Sequence, residues 1–174
     1  MIPEWIEELK GLLGDCVCTD EATLQAHAGD KWHAAALPQA VVLATETEHV
    51  AAALKFAHAR GIPVTPRGAG VGYVGGCVPV RGGIVISVAR MTRILEVNPA
   101  DGVAVAEAGV LTADLQAACA EVGWFYPPDP ASRKESSIGG NIATNAGGPR
   151  CLKYGVTRAY VLGLTVVLAD GRVL

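Results

Sequence analysis

The chain has 174 residues, of which 51% are hydrophobic and 18% are charged, and this composition predicts one globular core, alone or with a small appendage. A formal net charge of −3, without any run of Lys or Arg, argues against nucleic acid or an anionic membrane surface as the main partner. No stretch approaches the ~20 consecutive apolar residues of a transmembrane segment, and the N-terminus lacks a secretion signal, so we expect a cytoplasmic protein, free or peripheral to the inner membrane.

The cysteines give no sign of a disulfide framework or a zinc site. Their number is odd and no C-x-x-C spacing occurs, so we expect reduced thiols, some of them buried. The five are Cys16, Cys18, Cys77, Cys119 and Cys151.

The first 37 residues are predicted to form an N-terminal helical segment, residues 1–37. Apolar residues recur at helical spacing from Trp5 to Leu13, and Gly14 ends this first helix. Thr19 opens a second, short helix toward His27. The segment His27–His33 holds two histidines and one carboxylate, which is weak evidence for a metal site, and we favour a loop with ordinary hydrogen-bonded polar groups.

A strand, a helix and a second strand follow. Ala40–Ala44 reads as a buried strand, and Thr47 is predicted to cap a helix from Glu48 to Arg60. Gly61 ends this helix, and Ile62–Thr65 forms the next strand. The inner face of the helix is predicted to carry Val50, Leu54 and Ala57.

The second strand leads into a stretch that we call the glycine loop (residues 66–76). Glycine tolerates positive φ and lets a ligand approach the main chain, so the loop can curl its N–H groups around a phosphate or pyrophosphate, with Arg67 as a nearby countercharge. A glycine-rich surface turn is the alternative. The candidate ligand-binding residues are Pro66, Arg67, Gly68, Ala69, Gly70, Val71, Gly72, Gly75 and Gly76.

Residues 70–75 formally match G-x-G-x-x-G, the dinucleotide-binding fingerprint. That fingerprint requires the loop to open a helix, and the sequence from Gly76 to Gly83, which contains Pro79, cannot start one. The loop also lacks the lysine of a P-loop. With both of these phosphate-binding motifs set aside, the remaining candidate is a pyrophosphate held by main-chain amides.

Three further strands and a helix are predicted beyond the loop. The strands are Gly83–Ser87, Ile94–Val97 and Val103–Glu107, with a turn at residues 98–102, and Thr112 begins a helix over Ala113–Val122. Because strands and helices do not alternate strictly, the fold class is α+β. The predicted inner face of the helix carries Leu115, Ala118, Cys119 and Val122.

Two unusual stretches come next. Pro127–Pro130 is locked into an extended shape, which makes it a rigid wall or simply a stiff connector. Ser136–Gly148 places small residues along the length of a helix. A helix N-terminus near Ser137 would offer two or three free amides to a phosphate, and a tightly packed helix is the alternative.

The chain ends in a strand, an Asp170-Gly171 turn and the start of a returning strand, so we expect it to be a piece of something longer.

Taken together, these stretches resemble the FAD-binding domain of the vanillyl-alcohol oxidase and p-cresol methylhydroxylase (PCMH-type) superfamily, closest to glycolate oxidase flavoprotein subunits and D-lactate dehydrogenases. The resemblance covers residues 38–174. It is carried, in the family's order and spacing, by Pro66–Gly70, Gly75-Gly76, Pro128–Pro130, Ser137–Asn141, Asn145–Gly148, Cys151–Gly155 and Asp170-Gly171. The sequence departs from the family's usual loop at Val71, Tyr73 and Val74, where a hydroxyl contact would be lost.

The resemblance implies a PCMH-type domain over 38–174, C-terminally incomplete, built of two small α/β subdomains with FAD between them. The first would end near Ser87 and the second would start near Ile94. The glycine loop would embrace the pyrophosphate. The other cofactor-binding residues would be Pro128, Asp129, Pro130, Ser136, Ser137, Gly139, Gly140, Asn141, Ala143, Asn145, Ala146, Gly147 and Tyr154. Because no histidine lies in these motifs, noncovalent FAD is expected, although Cys77 keeps a covalent link open.

The resemblance also implies a reaction, the oxidation of a 2-hydroxy acid of the glycolate or D-lactate type by hydride transfer to FAD. In such enzymes the substrate pocket and any metal belong to a cap domain that follows this region, so we assign no catalytic or metal-binding residue here. Other oxidase subunits or an electron acceptor would be the partners. The alternative is a non-catalytic nucleotide-binding or assembly module with a structural or degenerate FAD site.

Overall fold

The computed structural model describes residues 3–174, and these divide into two compact units. The first unit contains the residues up to Arg90 together with Leu164–Leu174, and the second contains Met91–Gly163. Helices and two sheets occur without strict alternation. The predicted α+β class is therefore confirmed.

The first unit is built on a four-stranded sheet of β1 (Val17–Cys18), β2 (Ala40–Leu43), β3 (Val64–Arg67) and β4 (Ile84–Ser87). Their spatial order is β1-β2-β4-β3, with β1 antiparallel to β2 and the other pairings parallel. All four residues of β4 are buried, as expected for an apolar run at the centre of a parallel sheet.

Three helices accompany this sheet: α1 (Glu4–Leu13), α2 (Glu21–Ala26) and α3 (Thr47–Arg60). The core joins α1 and α3 to the strands through side chains that include Leu9, Val42, Phe56 and Ile84. On α3 the buried residues are Ala53, Phe56 and Ala57. Of the predicted inner face, Ala57 is therefore confirmed, whereas Val50 and Leu54 pack at the rim of the core.

Two helix starts differ from the prediction by one residue. Asp20, not Thr19, caps α2, and its carboxylate accepts a hydrogen bond of 2.9 Å from the amide of Thr23. Glu46 occupies the N-cap position of α3, so Thr47 is already helical. The helix ends are as predicted, because Gly14 ends α1 and Gly61 adopts the left-handed conformation after α3.

The strand predicted at Ile62–Thr65 lies two residues further along the chain, as β3, and ends with Pro66 and Arg67. Pro66 cannot donate a ladder hydrogen bond, and it is tolerated because β3 is the outermost strand of the sheet. The shift places Arg67 at the end of β3, where the irregular part of the glycine loop begins.

The second unit contains the antiparallel pair β5 (Ile94–Asn98) and β6 (Val103–Ala106) and the helices α4 (Thr112–Glu121), α5 (Ile138–Thr144) and α6 (Cys151–Tyr154). Its core is formed by Val110, Leu115, Cys119 and Ile138. The predicted face of α4 is correct at Leu115 and Cys119. Val122 lies beyond the helix and is 41% exposed.

The last eleven residues belong to the first unit, not to the second as the sequence suggested. Val166 and Leu174 exchange two hydrogen bonds of 2.9 and 2.8 Å, so the chain turns back at Asp170-Gly171 as predicted, but the pairing is an isolated antiparallel bridge and not a pair of strands. Gly171 packs against α3, where a Cβ atom would lie 2.7 Å from the carbonyl oxygen of Ala51.

Within residues 3–174, no helix is both long and apolar enough to cross a membrane. The same part of the chain contains no group of three or more His, Cys, Asp or Glu side chains placed to hold a metal ion. All five cysteines are free, and Cys119 is buried.

Candidate functional site

The glycine loop follows β3 as an irregular segment, and the next regular element after it is the strand β4, not a helix. This agrees with the rejection of the dinucleotide-binding fingerprint. Gly70 and Gly75 have φ values of +71° and +74°, in the region that favours glycine. Gly72 does not share this conformation. The loop therefore needs glycine at residues 70 and 75 for its backbone path.

The loop amides are the main chemical feature of this unit. Over residues 68–74 of the described chain, no main-chain N–H donates a hydrogen bond to another protein group. Main-chain donors are normally paired, and a run of unpaired N–H groups in a glycine-rich turn forms a concave site for an anion. The residues of the loop thus fit the diphosphate of a dinucleotide.

The surface over this part of the loop is open. A Cβ atom at Gly72 would have the Asp30 Oδ2 atom as its nearest neighbour, at 3.8 Å, and Cβ atoms at Gly75 and Gly76 would meet nothing within 4 Å. A ligand can therefore reach the main chain closely at these three glycines.

The Arg67 side chain does not lie free beside the loop. Its Nη1 atom donates to the carbonyl oxygen of Gly29 at 2.6 Å and to the Cys77 Sγ atom at 3.3 Å, and its Nη2 atom donates to the carbonyl oxygen of Ala26 at 3.3 Å. The guanidinium lies against Gly70 so closely that a Cβ atom there would overlap it. The Nη donors of Arg67 therefore bind the protein, and the role of its charge as a countercharge stays a prediction.

Asp30 connects the segment before β2 to the far side of the loop. Its Oδ2 atom accepts a hydrogen bond of 2.8 Å from the amide of Gly75, and its Oδ1 atom accepts one of 2.8 Å from the amide of Trp32. The amide of Lys31 donates to the carbonyl oxygen of Gly72 at 3.0 Å. The segment considered as a metal site therefore binds the glycine loop.

His27 belongs to the same segment and is half-buried. Its Nδ1 atom lies 2.9 Å from the carbonyl oxygen of Thr23, which can only accept, so Nδ1 carries the proton. Burial lowers the pKa of His27, and the positive charge of Arg67 adds to the effect, although the hydrogen bond to Thr23 opposes it.

In the second unit, two candidate cofactor-binding residues are part of a buried hydrogen-bond network around Thr112. The Thr112 hydroxyl donates a hydrogen bond to the carbonyl oxygen of Ser136 and lies 3.0 Å from the Ser136 hydroxyl. It accepts a hydrogen bond of 2.6 Å from the side-chain amide of Asn141. All three residues are buried. The network joins α4 to α5 and fixes the shape of this region.

The N-terminus of α5 lies where the sequence predicted it, and the Ser137 side chain caps it. The expected free amides are not there. The amide of Ile138 donates to the carbonyl oxygen of Val110, and that of Gly139 donates to the carbonyl oxygen of Ala108, both at 2.8 Å. The predicted phosphate site at this helix end is wrong, because pairing with residues 108–110 uses its donors.

Gly139 explains why this pairing is possible. A Cβ atom there would lie 2.7 Å from the Cβ atom of Ala108. The small residues of α5 thus permit close packing, which is the alternative that the sequence left open for Ser136–Gly148.

Pro127–Pro130 is buried and is held from two sides. The side chain of Gln116 donates to the carbonyl oxygen of Pro128 at 2.8 Å. The Asp129 carboxylate accepts from the amide of Arg150 at 3.1 Å and pairs with its Nε atom at 3.2 Å. The proline segment is thus a fixed surface of this unit.

The remaining candidates follow α5. Asn145 ends the helix with φ = +50°, and its side chain accepts from the amide of Arg158. Ala143 is exposed, and Ala146 and Gly147 are partly buried. The carbonyl oxygen of Tyr154 accepts from the Tyr160 hydroxyl at 2.6 Å.

Sequence reasoning missed the residues that hold the glycine loop, namely Ala26, Gly29 and Asp30. The only available signal was the Gly-Asp pair before Trp32, in a segment with no regular periodicity. The contact with Gly75 joins residues 45 positions apart, and no local pattern reveals such a pairing.

Comparisons with known proteins agree with this architecture. A family model described as an FAD binding domain matches residues 38–174. D-lactate dehydrogenase of Anaerostipes hadrus is 42% identical over 173 residues, which are 98% of this chain and 36% of the relative. Glycolate oxidase subunit GlcD of Bacillus subtilis is 44% identical over 138 residues, covering 79% of this chain and 29% of the relative. D-2-hydroxyglutarate dehydrogenase of Stutzerimonas stutzeri is 41% identical, covering 99% of this chain and 38% of the relative.

Solved structures show the same fold. An alkyldihydroxyacetonephosphate synthase superposes with a TM-score of 0.88 at 26% identity over 100% of this chain and 34% of the other. p-Cresol methylhydroxylase superposes with a TM-score of 0.81 at 24% identity over 97% of this chain and 34% of the other, which shows the fold alone.

This chain spans about a third of the length of the curated relatives that it matches. Within that third, both the sequence identity and the fold agree with the resemblance identified from the motifs. The chain therefore belongs to the FAD binding domain family, and its cofactor is FAD.

Proposed function

We propose that the chain is the cofactor-binding part of a flavin-dependent oxidoreductase that oxidises a small 2-hydroxy acid, of the glycolate or D-lactate type, by hydride transfer to FAD. The observation that carries the proposal is the run of unpaired amides over residues 68–74, which suits the diphosphate of FAD. The names of three relatives, which describe a D-lactate dehydrogenase, a glycolate oxidase subunit and a D-2-hydroxyglutarate dehydrogenase, support the substrate class.

The domain so proposed covers residues 38–174 and continues beyond them in the complete protein. Bound FAD would supply the acceptor of the hydride. The residues of this chain would bind and orient it, and the glycine loop would hold its diphosphate. The base that takes the substrate proton and any metal would lie outside this chain.

We also propose that the FAD is noncovalent. All four histidines lie outside the matched motifs, and the Cys77 thiol is engaged by Arg67; the histidines are His27, His33, His49 and His58. Flavin should therefore leave the polypeptide when the protein is denatured. Flavin that remains with the precipitated chain would contradict this proposal.

The partners and the location are proposed on separate grounds. The Bacillus subtilis relative is named as a subunit, which supports an assembly with other oxidase subunits or an electron acceptor. The five free cysteines suit the reducing cytoplasm, so we propose a cytoplasmic location.

An anaerobic titration tests the reaction class. The 174-residue chain should bind FAD and leave it oxidised with D-lactate, glycolate or D-2-hydroxyglutarate, because the base proposed to take the hydroxyl proton lies outside it. The complete protein should bleach its flavin absorbance with at least one of them. Rapid bleaching by the 174-residue chain alone would place the base within this sequence and refute the division of roles. A complete protein that is colourless after FAD addition and removal of the unbound FAD would favour a non-catalytic module.

A further inference from the structure

We propose that Asp30 and Arg67 are positioning residues for the cofactor, because they hold the glycine loop in the shape that leaves its amides unpaired. The segment Ala26–Lys31 would thereby be part of the cofactor site, although it precedes residue 38, where the family match begins. This inference rests on the proposed binding of the FAD diphosphate by the loop.

Asp30 fastens the loop on one side. Both oxygens of its carboxylate are used, since Oδ1 accepts from the amide of Trp32 and Oδ2 accepts from the amide of Gly75, each at 2.8 Å. The first bond fixes the side chain within its own turn, and the second fixes Gly75 in its left-handed conformation. The bond from the amide of Lys31 to the carbonyl oxygen of Gly72 adds a second attachment three residues away.

Arg67 holds the start of the loop against the segment that follows α2. Its guanidinium reaches the carbonyl oxygens of Ala26 and Gly29, which ties the end of β3 to the end of α2. The guanidinium also lies directly against Gly70, so the loop at that residue rests on it. A planar group with several fixed donors can make these contacts together, whereas a lysine ammonium cannot.

The two attachments bracket the unpaired amides of residues 68–74. A loop without internal hydrogen bonds would otherwise sample many conformations, and ordering it on binding would reduce affinity. The attachments hold the loop before the ligand arrives, and they do so without using the amides that the ligand needs.

The charge of Asp30 separates this positioning role from an electrostatic one. A carboxylate beside a bound diphosphate repels it, so the charge alone would weaken binding. If Asp30 acts through its hydrogen bonds, Asp30→Asn should lose less affinity than Asp30→Ala, because its single amide oxygen can still accept from Gly75, although its NH2 group cannot accept from Trp32. Asp30→Ala should lose affinity because no acceptor remains.

The test measures FAD dissociation constants for the 174-residue chain and its variants by flavin fluorescence, with thermal unfolding in parallel. We expect about tenfold weaker binding for Asp30→Ala, from the loss of hydrogen bonds to a charged acceptor, and less than about threefold for Asp30→Asn. Asp15→Ala removes an exposed carboxylate of the same unit that makes no hydrogen bond or ion pair with the described residues, and it should bind FAD like the parent chain.

Arg67→Lys supplies a second, independent arm. It keeps the positive charge and removes the paired contacts with Ala26 and Gly29, so binding should weaken about tenfold if Arg67 positions the loop. Affinity equal to that of the parent would mean that Arg67 acts as a countercharge, and it would overturn its assigned role.

Three further results would overturn the inference for Asp30: unchanged affinity in Asp30→Ala, equal losses in Asp30→Ala and Asp30→Asn, or a loss in Asp15→Ala as large as in Asp30→Ala. Failure of the parent chain to bind FAD is a different result, because it would refute the proposed function itself. If Asp30→Ala does not fold, Arg67→Lys decides the inference, since it retains the positive charge and removes the contacts with Ala26 and Gly29.

Discussion

Gly72 and Gly70 allow the binding role of the glycine loop to be separated from its role in folding. Both would gain a Cβ atom in alanine variants, yet their surroundings differ. At Gly72 the nearest atom to that Cβ would be the Asp30 Oδ2 atom at 3.8 Å, and the backbone is not left-handed. At Gly70 φ is +71° and the Cβ would overlap the Arg67 guanidinium.

These differences set the expected free energies of unfolding. Left-handed backbone costs a non-glycine residue about 1–2 kcal/mol, and displacing Arg67 adds to this in Gly70→Ala. Gly72→Ala has no such cost, and the loss of glycine's freedom in the unfolded chain stabilises by about 0.4–1 kcal/mol. Since 1 kcal/mol shifts Tm by about 2–4 °C in a protein of this size, Gly70→Ala should lower Tm by several degrees and Gly72→Ala should not lower it.

Binding should follow a different order. In Gly72→Ala the new methyl group projects from the open side of the loop, where a diphosphate must approach the amides, so the FAD dissociation constant should rise about tenfold, which is about 1.4 kcal/mol. Flavin fluorescence and differential scanning calorimetry give the two quantities on the same samples.

Gly11→Ala is the matched control. Gly11 lies within α1, where a Cβ atom would meet nothing within 4 Å, so the substitution should stabilise the helix by about 0.5–1 kcal/mol and leave FAD binding unchanged. Full FAD affinity in Gly72→Ala would show that the cofactor does not approach this part of the loop. A Tm loss in Gly72→Ala equal to that in Gly70→Ala would contradict the open geometry.

Three other substitutions test the structure around the candidate site. Thr112→Val leaves the buried amide of Asn141 without its partner and should cost about 1–3 kcal/mol in thermal unfolding, while Thr112→Ser, which keeps the hydroxyl, should cost less. Gly139→Ala places a methyl group 2.7 Å from the Cβ atom of Ala108 and should destabilise by about 1–3 kcal/mol, and an unchanged Tm would contradict the close packing. The lowered pKa of His27 means that the folded state binds the imidazole proton less readily than the unfolded state, so the stability that neutral His27 contributes is present above pH ~6.5 and is lost as the pH falls. His27→Gln should therefore flatten the decline of Tm below that pH, and parallel curves of Tm against pH for the variant and the parent would refute this role.

Most single elements of this protein could be predicted from sequence because their causes are local. Gly14 and Gly61 end α1 and α3, as glycine does after many helices, and Ser137 caps α5. The rejection of a helix after the glycine loop rested on glycine and proline alone. The family match could be found for the same reason, since its motifs are short and contiguous.

The state of the amides was decided by tertiary structure. Sequence predicted unpaired N–H groups both in the glycine loop and at the start of α5. The loop keeps them over residues 68–74, whereas Ile138 and Gly139 donate theirs to Val110 and Ala108. A glycine frees the backbone to pair with a ligand or with another strand of the same protein, and only the packing of neighbouring segments selects between the two.

The attachments of the loop were likewise invisible in the sequence. Asp30 and Gly75 are far apart along the chain, and so are Arg67 and Gly29. The sequence by itself determined that the protein has a glycine loop able to bind an anion. The tertiary structure decided which side chains hold that loop open, because a hydrogen bond between distant residues depends on the three-dimensional path of the chain that brings donor and acceptor together.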